Sequence, residues 1–275
     1  MPFLKTGDGA KLYYESHGRG EPVVFLNGIM MNTVSWTDYV PRLAELFRLV
    51  VFDFRDQGKS SPMDKEYGID RQVADVLSLL DHLEIDRAHV MGLSYGGEVA
   101  LKFAVARGDR LKSLILANTV PSISAHLGAI GRIWETAAGL NNGDVFFQLS
   151  MPWVYSRHFY ESFPGWLTQR QELFRKHLTR TWFECFMRLS RSQIGFRVSP
   201  EEMRTIAVPT LLIGSDEDFI TPADGMEILH DNIKGSEFFV LKKAGHGAFQ
   251  EKMEEFLTLI MGFILKQSSR RDPTG

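Results

Sequence analysis

The chain has 275 residues, of which 44% are hydrophobic and 24% are charged, a composition that excludes a disordered or fibrous protein. Its formal net charge of -3 argues against electrostatic attraction to nucleic acid or anionic lipid. The single cysteine, Cys185, excludes an internal disulfide, and the N-terminus lacks the apolar stretch of a signal peptide. The apolar run from Phe256 to Leu265 is far shorter than the roughly 20 residues of a membrane-spanning helix. We therefore expect a soluble cytoplasmic protein with no membrane span and no nucleic-acid partner.

Short apolar runs typical of buried strands alternate with helical patterns along most of the chain. Helices are predicted over Asp70 to Leu83, with Asp70 as a candidate cap, over Glu98 to Arg107 and over Met253 to Lys266. This alternation predicts an α/β fold with a mostly parallel sheet flanked by helices. The predicted strands are Val23 to Leu26, Leu49 to Phe52, Ala88 to Met91, Leu114 to Ala117, Thr210 to Ile213 and Glu237 to Leu241.

The alternation is interrupted between about Val120 and Ser199, where the pattern is helical and rich in aromatic residues. This segment starts after the predicted strand Leu114 to Ala117 and ends before the strand Thr210 to Ile213, so we predict a helical cap inserted between them. Most of its aromatic side chains should pack the cap onto the core, and some should line a pocket beneath it. The predicted core covers residues 1–119 and 206–266, the cap covers residues 120–205, and residues 267–275 form a disordered tail.

A candidate nucleophile lies in the sequence Gly-Leu-Ser-Tyr-Gly, residues 92–96, directly after a predicted strand and before a predicted helix. In this setting the G-x-S-x-G pattern predicts a sharp turn that exposes the hydroxyl of Ser94. The turn needs glycines because a side chain at Gly92 or Gly96 would collide with the neighbouring strand or helix. The positive end of the following helix would then lie beside the serine.

A base and an acid for this serine are predicted from two later loops. Of the eight histidines, only His246 lies in a glycine-flanked loop at the end of a strand, where it can accept the serine proton. The acid that orients the histidine is predicted to be Asp218, which precedes Pro222 by four residues, with Asp216 as the alternative. The order serine, aspartate, histidine is the one expected on a parallel α/β sheet of this kind.

Two backbone N–H groups are candidate donors to the oxyanion that forms during attack on a carbonyl. One belongs to Tyr95, which follows the nucleophile, and the other to Ile29, in the loop after the strand that ends at Leu26. Gly28 allows the backbone of that loop to turn. No side chain is required for this role, so the side chains at positions 29 and 95 are free to shape the pocket.

Cofactor and metal sites are not predicted. Residues 58–60 end like a phosphate-binding loop, but Asp53 stands where that loop needs its first glycine, and no dinucleotide-binding glycine pattern follows the first buried strand. The acidic cluster around Asp218 has no histidine or cysteine at metal-ligand spacing. Cys185 lies in an aromatic helical stretch, and we expect a buried small apolar residue there rather than a nucleophile.

The chain resembles the α/β-hydrolase superfamily, in the capped group of serine esterases, lactonases and thioesterases. The resemblance covers nearly the whole chain except the cap and tail. It depends on Asn27-Gly28, residues 53–60, the turn at Ser94, residues 214–222 and Gly245-His246. The family usually has His-Gly where this chain has Asn27-Gly28, and this departure weakens any inference of the substrate from His-Gly relatives. The resemblance also implies that Arg55 is a structural brace.

The resemblance implies an eight-stranded sheet, with the helical cap inserted after its sixth strand, and a cofactor-independent serine hydrolase. Its substrate would be a small or medium apolar ester, thioester or lactone, acyl or aromatic, cleaved through an acyl-enzyme on Ser94. Acyl transfer to another alcohol or hydrolysis of a carbon–carbon bond on the same triad are alternatives. A third possibility is a receptor of hydrolase fold that binds a ligand without turnover. The oligomeric state is not predicted.

Overall fold

One sheet of eight strands forms the centre of the computed structural model, which describes residues 2–269. The strands are β1 (Phe3–Lys5), β2 (Lys11–His17), β3 (Pro22–Leu26), β4 (Arg48–Phe52), β5 (Ala88–Leu93), β6 (Leu111–Ala117), β7 (Thr210–Ser215) and β8 (Glu237–Leu241). Their order in the sheet is β1-β2-β4-β3-β5-β6-β7-β8. Strand β2 is antiparallel to β1 and β4, and the other neighbouring strands are parallel. The predicted mostly parallel eight-stranded sheet is therefore confirmed.

Helices cover both faces of this sheet, which explains why its central strands are nearly continuous in apolar residues. The α-helices of the described residues are α1 (Val40–Ala44), α2 (Asp70–His82), α3 (Tyr95–Arg107), α4 (Ala125–Gly139), α5 (Gly143–Val154), α6 (Arg157–Ser162), α7 (Pro164–His177), α8 (Arg180–Ser192), α9 (Pro200–Met203), α10 (Ala223–Asn232), α11 (Ala248–Glu251) and α12 (Met253–Ser269). Helices α2, α3 and α10 pack on one face, and α1 and α12 pack on the other. Alternate residues of β3 serve the two faces: Val24 and Leu26 join the first cluster, and Val23 and Phe25 join the second.

Two details of the predicted helices are corrected by the structure. Helix α2 begins as predicted, but its N-cap is Ile69 and no side chain caps it. The carboxylate of Asp70 instead pairs with Lys102 of α3 at 2.6 Å, because Asp70 is already inside the first helical turn. Helix α12 continues to Ser269, since Gln267 is buried and Ser268 donates a hydrogen bond to Glu21. The first three residues of the predicted tail are therefore helical, and residues 270–275 lie outside the described residues.

The chain between β6 and β7 forms a helical insertion, which we call the inserted segment (residues 120–205) and which contains α4 to α9. Its ends lie together: Ser122 forms a β-bridge with Arg197, and Val198 N–H donates to the carbonyl of Pro121 at 2.8 Å. Buried aromatic side chains form the interior of the segment, and Ile220 of the loop after β7 packs against them. The described residues contain no helix with the length and apolar character needed to span a membrane.

Arg55 anchors the loop after β4, as the resemblance implied. Its guanidinium is 1% exposed and contacts both oxygens of Asp75 in α2, with the nearer pair of atoms 2.5 Å apart. A second ion pair, at 2.7 Å, joins it to Asp8 of the turn between β1 and β2. Burying a charge of this kind is tolerated because both carboxylates hydrogen-bond to it. Arg55 therefore ties three parts of the core together.

Candidate active site

A sharp turn between β5 and α3 carries Ser94 in a strained conformation. Its backbone has φ 54° and ψ -119°, a region that residues with a side chain rarely adopt. A Cβ atom at Gly92 would overlap the backbone of Gly96, and one at Gly96 would overlap the carbonyl of Leu26. The predicted need for glycine at these positions is therefore confirmed, and the turn holds Ser94 at the N-terminus of α3.

The structure brings together the three side chains predicted to form the triad. His246 Nε2 lies 2.8 Å from Ser94 Oγ, and His246 Nδ1 lies 2.8 Å from Asp218 Oδ2. The three residues follow β5, β7 and β8, so they meet at the carboxyl end of the parallel strands, where ligands bind in sheets of this type. A base within hydrogen-bond distance of a hydroxyl, and itself oriented by an acid, is the arrangement that activates a serine.

Asp218 is fully buried, and it is surrounded by donors. Its Oδ1 accepts from the backbone N–H groups of Ile220 and Thr221 at 2.8 and 2.9 Å, and its Oδ2 accepts from Asn118 Nδ2 and Thr221 Oγ1 at 2.9 and 2.8 Å. Burial by itself would raise the pKa of Asp218, but the charge of His246 and these hydrogen bonds outweigh it and lower the pKa below its ordinary value. The carboxylate therefore stays ionised and can stabilise a protonated histidine.

Asp216, the alternative acid, lies in a different environment. Its Oδ1 accepts from the backbone N–H of Ala244 at 3.4 Å, and its Oδ2 lies 3.8 Å from Lys242 Nζ. These contacts brace the loop after β7 against the loop after β8. No hydrogen bond or ion pair joins Asp216 to His246 within residues 2–269. The geometry therefore favours Asp218 as the partner of the histidine.

The two candidate oxyanion donors lie beside Ser94. Tyr95 is the first residue of α3, and Ile29 lies in the loop after β3. Within the described part of the chain, neither backbone N–H donates to a protein acceptor. Both residues line a cavity that also contacts Ser94. Two N–H groups left without partners next to a nucleophile suit the stabilisation of a developing negative charge.

Asn27 supports the loop that carries Ile29, a role that the sequence did not reveal. Its Nδ2 donates to the carbonyl of Phe52 at 2.8 Å, and its Oδ1 accepts from the indole N–H of Trp36 at 2.7 Å. Gln57 Nε2 donates to the carbonyl of Gly28 at 2.9 Å. These bonds fix the loop against the end of β4, so an asparagine here braces the loop where the family usually has a histidine.

Two cavities meet at Ser94, and both are lined partly by the inserted segment. The larger, of about 70 Å³, is mainly apolar and contacts His246 and Arg170. The smaller, of about 30 Å³, contacts Tyr95 and Glu98. Ile29, Ser94 and Trp134 line both. The other residues of the larger cavity are Gly28, Met30, Met31, Leu93, Met151, Val154, Tyr155, Phe174, Gly247, Phe249 and Gln250.

Arg170 and Glu98 are two charged residues of these cavities that the sequence analysis did not identify. Arg170 lies on α7, its Nε is buried without a hydrogen-bond partner in the described structure, and its guanidinium lies 5.6 Å from the ring centre of Phe174. Glu98 lies on α3 and is 2% exposed. In the sequence both resemble ordinary charged residues of surface helices, and only the packing of the helices reveals that Glu98 and the Nε atom of Arg170 are buried.

Cys185 lies away from the triad, as expected for a packing residue. It is buried on α8, and burial raises the pKa of its thiol to about 12, so the reactive thiolate form is rare at neutral pH. Arg188 Nη2 contacts its sulfur at 3.3 Å. Among the described residues, no group of three or more His, Cys, Asp or Glu side chains is arranged to hold a metal ion.

Comparison with known proteins gives matches over nearly the full length. Residues 23–259 match the model of the alpha/beta hydrolase family. The crystal structure of MGS-M2, an alpha/beta hydrolase enzyme from a deep-sea metagenome library of the Medee basin, is 32% identical, with a TM-score of 0.92 over 95% of this chain and 96% of that chain.

Two curated relatives are more distant in sequence. The 2-hydroxy-6-oxo-6-(2'-aminophenyl)hexa-2,4-dienoic acid hydrolase of Metapseudomonas resinovorans is 24% identical over 97% of this chain and 91% of its own length. The 3-oxoadipate enol-lactonase 1 of Acinetobacter baylyi is 26% identical over 88% of each chain. The fold, the strained serine turn and these similarities define a hydrolase. The chain belongs to the alpha/beta hydrolase family.

Proposed function

We propose that this enzyme is a serine hydrolase that cleaves a carboxylic ester, thioester or lactone through an acyl-enzyme on Ser94. The observation that carries the proposal is the continuous chain of hydrogen bonds from Ser94 Oγ through His246 to Asp218, each 2.8 Å long. We further propose that the inserted segment is a cap over this site. In support, its helices contribute apolar and aromatic residues to the larger cavity, which suits a small or medium apolar substrate.

The proposed reaction has two half-reactions. In the first, Ser94 Oγ attacks the carbonyl carbon and transfers its proton to His246 Nε2, while the N–H groups of Ile29 and Tyr95 hold the oxyanion. The tetrahedral intermediate then expels the alcohol or thiol, which takes the proton from His246 and leaves an acyl group on Ser94. In the second, His246 takes a proton from water, the resulting hydroxide attacks the acyl carbon, and the acid leaves as Ser94 regains its proton. Asp218 stays ionised throughout and stabilises the protonated histidine.

Hydrolysis of a carbon–carbon bond in a vinylogous keto acid is a second candidate function. It is favoured by Arg170, a cation without a paired carboxylate in the described structure, in the same cavity as His246. A guanidinium there could bind the carboxylate of such a substrate. The dienoic acid hydrolase of M. resinovorans, by its name, acts on a compound of this class. Comparing turnover of dienoic keto acids with that of simple esters decides between the two candidates.

The first experiment is intact-mass spectrometry after treatment with a fluorophosphonate, in the wild type and in Ser94→Ala. We expect one adduct on the wild type and none on the variant, because only an activated serine reacts. The variant should fold normally, since it loses one hydroxyl. Esters, acyl thioesters and lactones of graded size then identify the preferred substrate.

The absence of an adduct on well-folded wild-type protein would contradict the proposal and favour a receptor that binds its ligand without turnover. An adduct that persists on Ser94→Ala would place the reactive group elsewhere. Circular dichroism of both proteins before treatment controls for folding. With this control, a missing adduct on folded protein means that Ser94 is not activated, whereas a missing adduct on unfolded protein does not.

A further inference from the structure

Glu98 is a buried acid beside the active site that the proposed mechanism does not use. It lies one helical turn after Ser94 on α3, it is 2% exposed, and no ion pair joins it to a cation of the described residues. Burial raises the pKa of its carboxyl well above the ordinary value. The side-chain amide of Gln193 lies 3.1 Å from both carboxyl oxygens, and the amide orientation that satisfies both groups points its nitrogen towards Glu98. A buried carboxyl that has no ion pair lowers the free energy of unfolding. A role in substrate binding would explain why the protein has one here.

The position of His246 assigns the two cavities to the two parts of a substrate. His246 lines only the larger cavity, whereas Tyr95, a proposed oxyanion donor, lines only the smaller one. The leaving atom must face His246 Nε2 because it takes its proton from that nitrogen. The leaving group therefore extends into the larger cavity. The acyl group, on the other side of the carbonyl carbon, extends into the smaller cavity towards Glu98.

The smaller cavity has less volume than the larger one, and polar atoms make up a greater share of its lining. Its volume of about 30 Å³ is less than half that of the larger cavity, so the shorter part of a substrate suits it. Glu98 and Gln193 line it, and so does Trp134, whose buried indole N–H has no acceptor in the described structure. A hydroxyl group suits these neighbours, because it can donate to the carboxyl of Glu98 and accept from the indole N–H.

We propose that the smaller cavity is an acyl subsite for short acyl groups that carry a hydroxyl, and that Glu98 selects them by hydrogen-bonding to that hydroxyl. The inference rests on the proposed function, since it needs an acyl group on Ser94. A site built to hydrogen-bond a hydroxyl discriminates strongly against an analogue that lacks it, because the polar groups of the site are then left unpaired. Glu98 thus determines specificity, while Ser94, His246 and Asp218 carry out the chemistry.

The test compares phenyl glycolate with phenyl propionate, whose acyl groups differ only by a hydroxyl in place of a methyl. We measure kcat/KM for each ester and divide it by the rate of hydroxide-catalysed hydrolysis, which removes the intrinsic reactivity of the glycolate. We expect the wild type to prefer glycolate by about tenfold or more. In Glu98→Leu the ratio should fall to about one or below, and in Glu98→Gln, which keeps an acceptor oxygen, part of the preference should remain.

Glu184→Leu is the matched control, because it removes a carboxylate from α8 that, within residues 2–269, pairs only with Arg180 on the surface. This variant should keep the wild-type ratio. A wild-type ratio near one overturns the inference, whether or not Glu98→Leu folds, and so does a folded Glu98→Leu that keeps the preference for glycolate. If both esters are hydrolysed, the proposed function stands independently of the ratio. If neither is hydrolysed and Ser94 forms no fluorophosphonate adduct, the proposed function fails and this inference fails with it.

Discussion

Asp218 keeps a negative charge inside the protein because donors surround its carboxylate on every accessible side. The backbone N–H groups of Ile220 and Thr221 hold one oxygen, and the side chains of Asn118, Thr221 and His246 contact the other. Such a network fixes both the ionisation of the acid and the direction in which the imidazole points. At the residue scale, the proposed activity therefore depends as much on the surroundings of the acid as on the acid.

Replacing Asp218 by asparagine should reduce kcat by about 10³- to 10⁴-fold, because a neutral amide neither stabilises a protonated histidine nor fixes the productive tautomer. Asp216→Asn is the matched control and should stay within about threefold of the wild type, since it changes only a brace between two loops. Steady-state kinetics with the best ester found by screening measures both. If Asp216→Asn lost more activity than Asp218→Asn, Asp216 would be the acid that orients His246.

The sequence was sufficient to predict Ser94, His246 and Asp218 as a group, because each lies next to a short local pattern of glycines, acids or a proline after a strand. It was not sufficient to predict that Arg170 and Glu98 line the cavities at Ser94. The burial of Arg170 Nε depends on how α7 packs against α5 and α6 within the inserted segment. The burial of Glu98 depends on α3 being covered by the inserted segment. Both are contacts between distant parts of the chain, and no local pattern encodes them.

At the scale of elements, the turn between β5 and α3 depends on backbone contacts that leave no space for a side chain. Gly96 approaches the carbonyl of Leu26, and Gly97 approaches the side chain of Thr119, where an added Cβ would lie 2.6 Å from its nearest atom. The hydrophobic patterns predicted the existence of the strands and helices around this turn. They underestimated the lengths of β5, β6, β7, α3 and α12, because the ends of these elements include glycine or polar residues outside the apolar runs.

Gly96→Ala should destabilise the protein by about 1–3 kcal/mol or prevent folding, since the strand and helix must move apart to admit the methyl group. Gly262→Ala is the matched control, because Gly262 is exposed within α12 and has open space around its Cα. It should increase stability by about 0.5–1 kcal/mol through better helix propensity. Urea unfolding of the two variants measures both changes. Equal changes in the free energy of unfolding for the two variants would mean that the lack of space around Gly96 does not determine its effect.

At the scale of the whole molecule, a buried ion pair joins the inserted segment to the core below it. Arg188 of α8 contacts Asp56, in the loop after β4, with its Nη2 2.7 Å from Oδ1. The side chain of Asp56 is fully buried, and its Oδ1 also accepts from the backbone N–H of Met63 at 2.9 Å. Because Asp56 has a positive φ of 63°, the loop is shaped to present this carboxylate to the helix.

Arg188→Met should lower the free energy of unfolding by about 2–4 kcal/mol, because it leaves the carboxylate of Asp56 buried without its charged partner. Arg180→Met is the control: its pair with Glu184 is on the surface and contributes only about 0.3–0.5 kcal/mol. Urea denaturation at neutral pH gives both values. A loss for Arg188→Met no larger than that of the control would mean that the pair does not hold the segment to the core.

The neck of the inserted segment, where Ser122 pairs with Arg197, has an evolutionary consequence. Because the chain enters the helical part of the segment at Ser122 and leaves it beside the same point at Arg197, the helices between can lengthen, shorten or be exchanged while the strand register stays unchanged. Closing a longer loop at such a neck adds little entropic cost, since that cost rises only with the logarithm of loop length. Substrate range and chemical machinery can therefore diverge at different rates: the helices adapt to new compounds, while the sheet preserves the reaction.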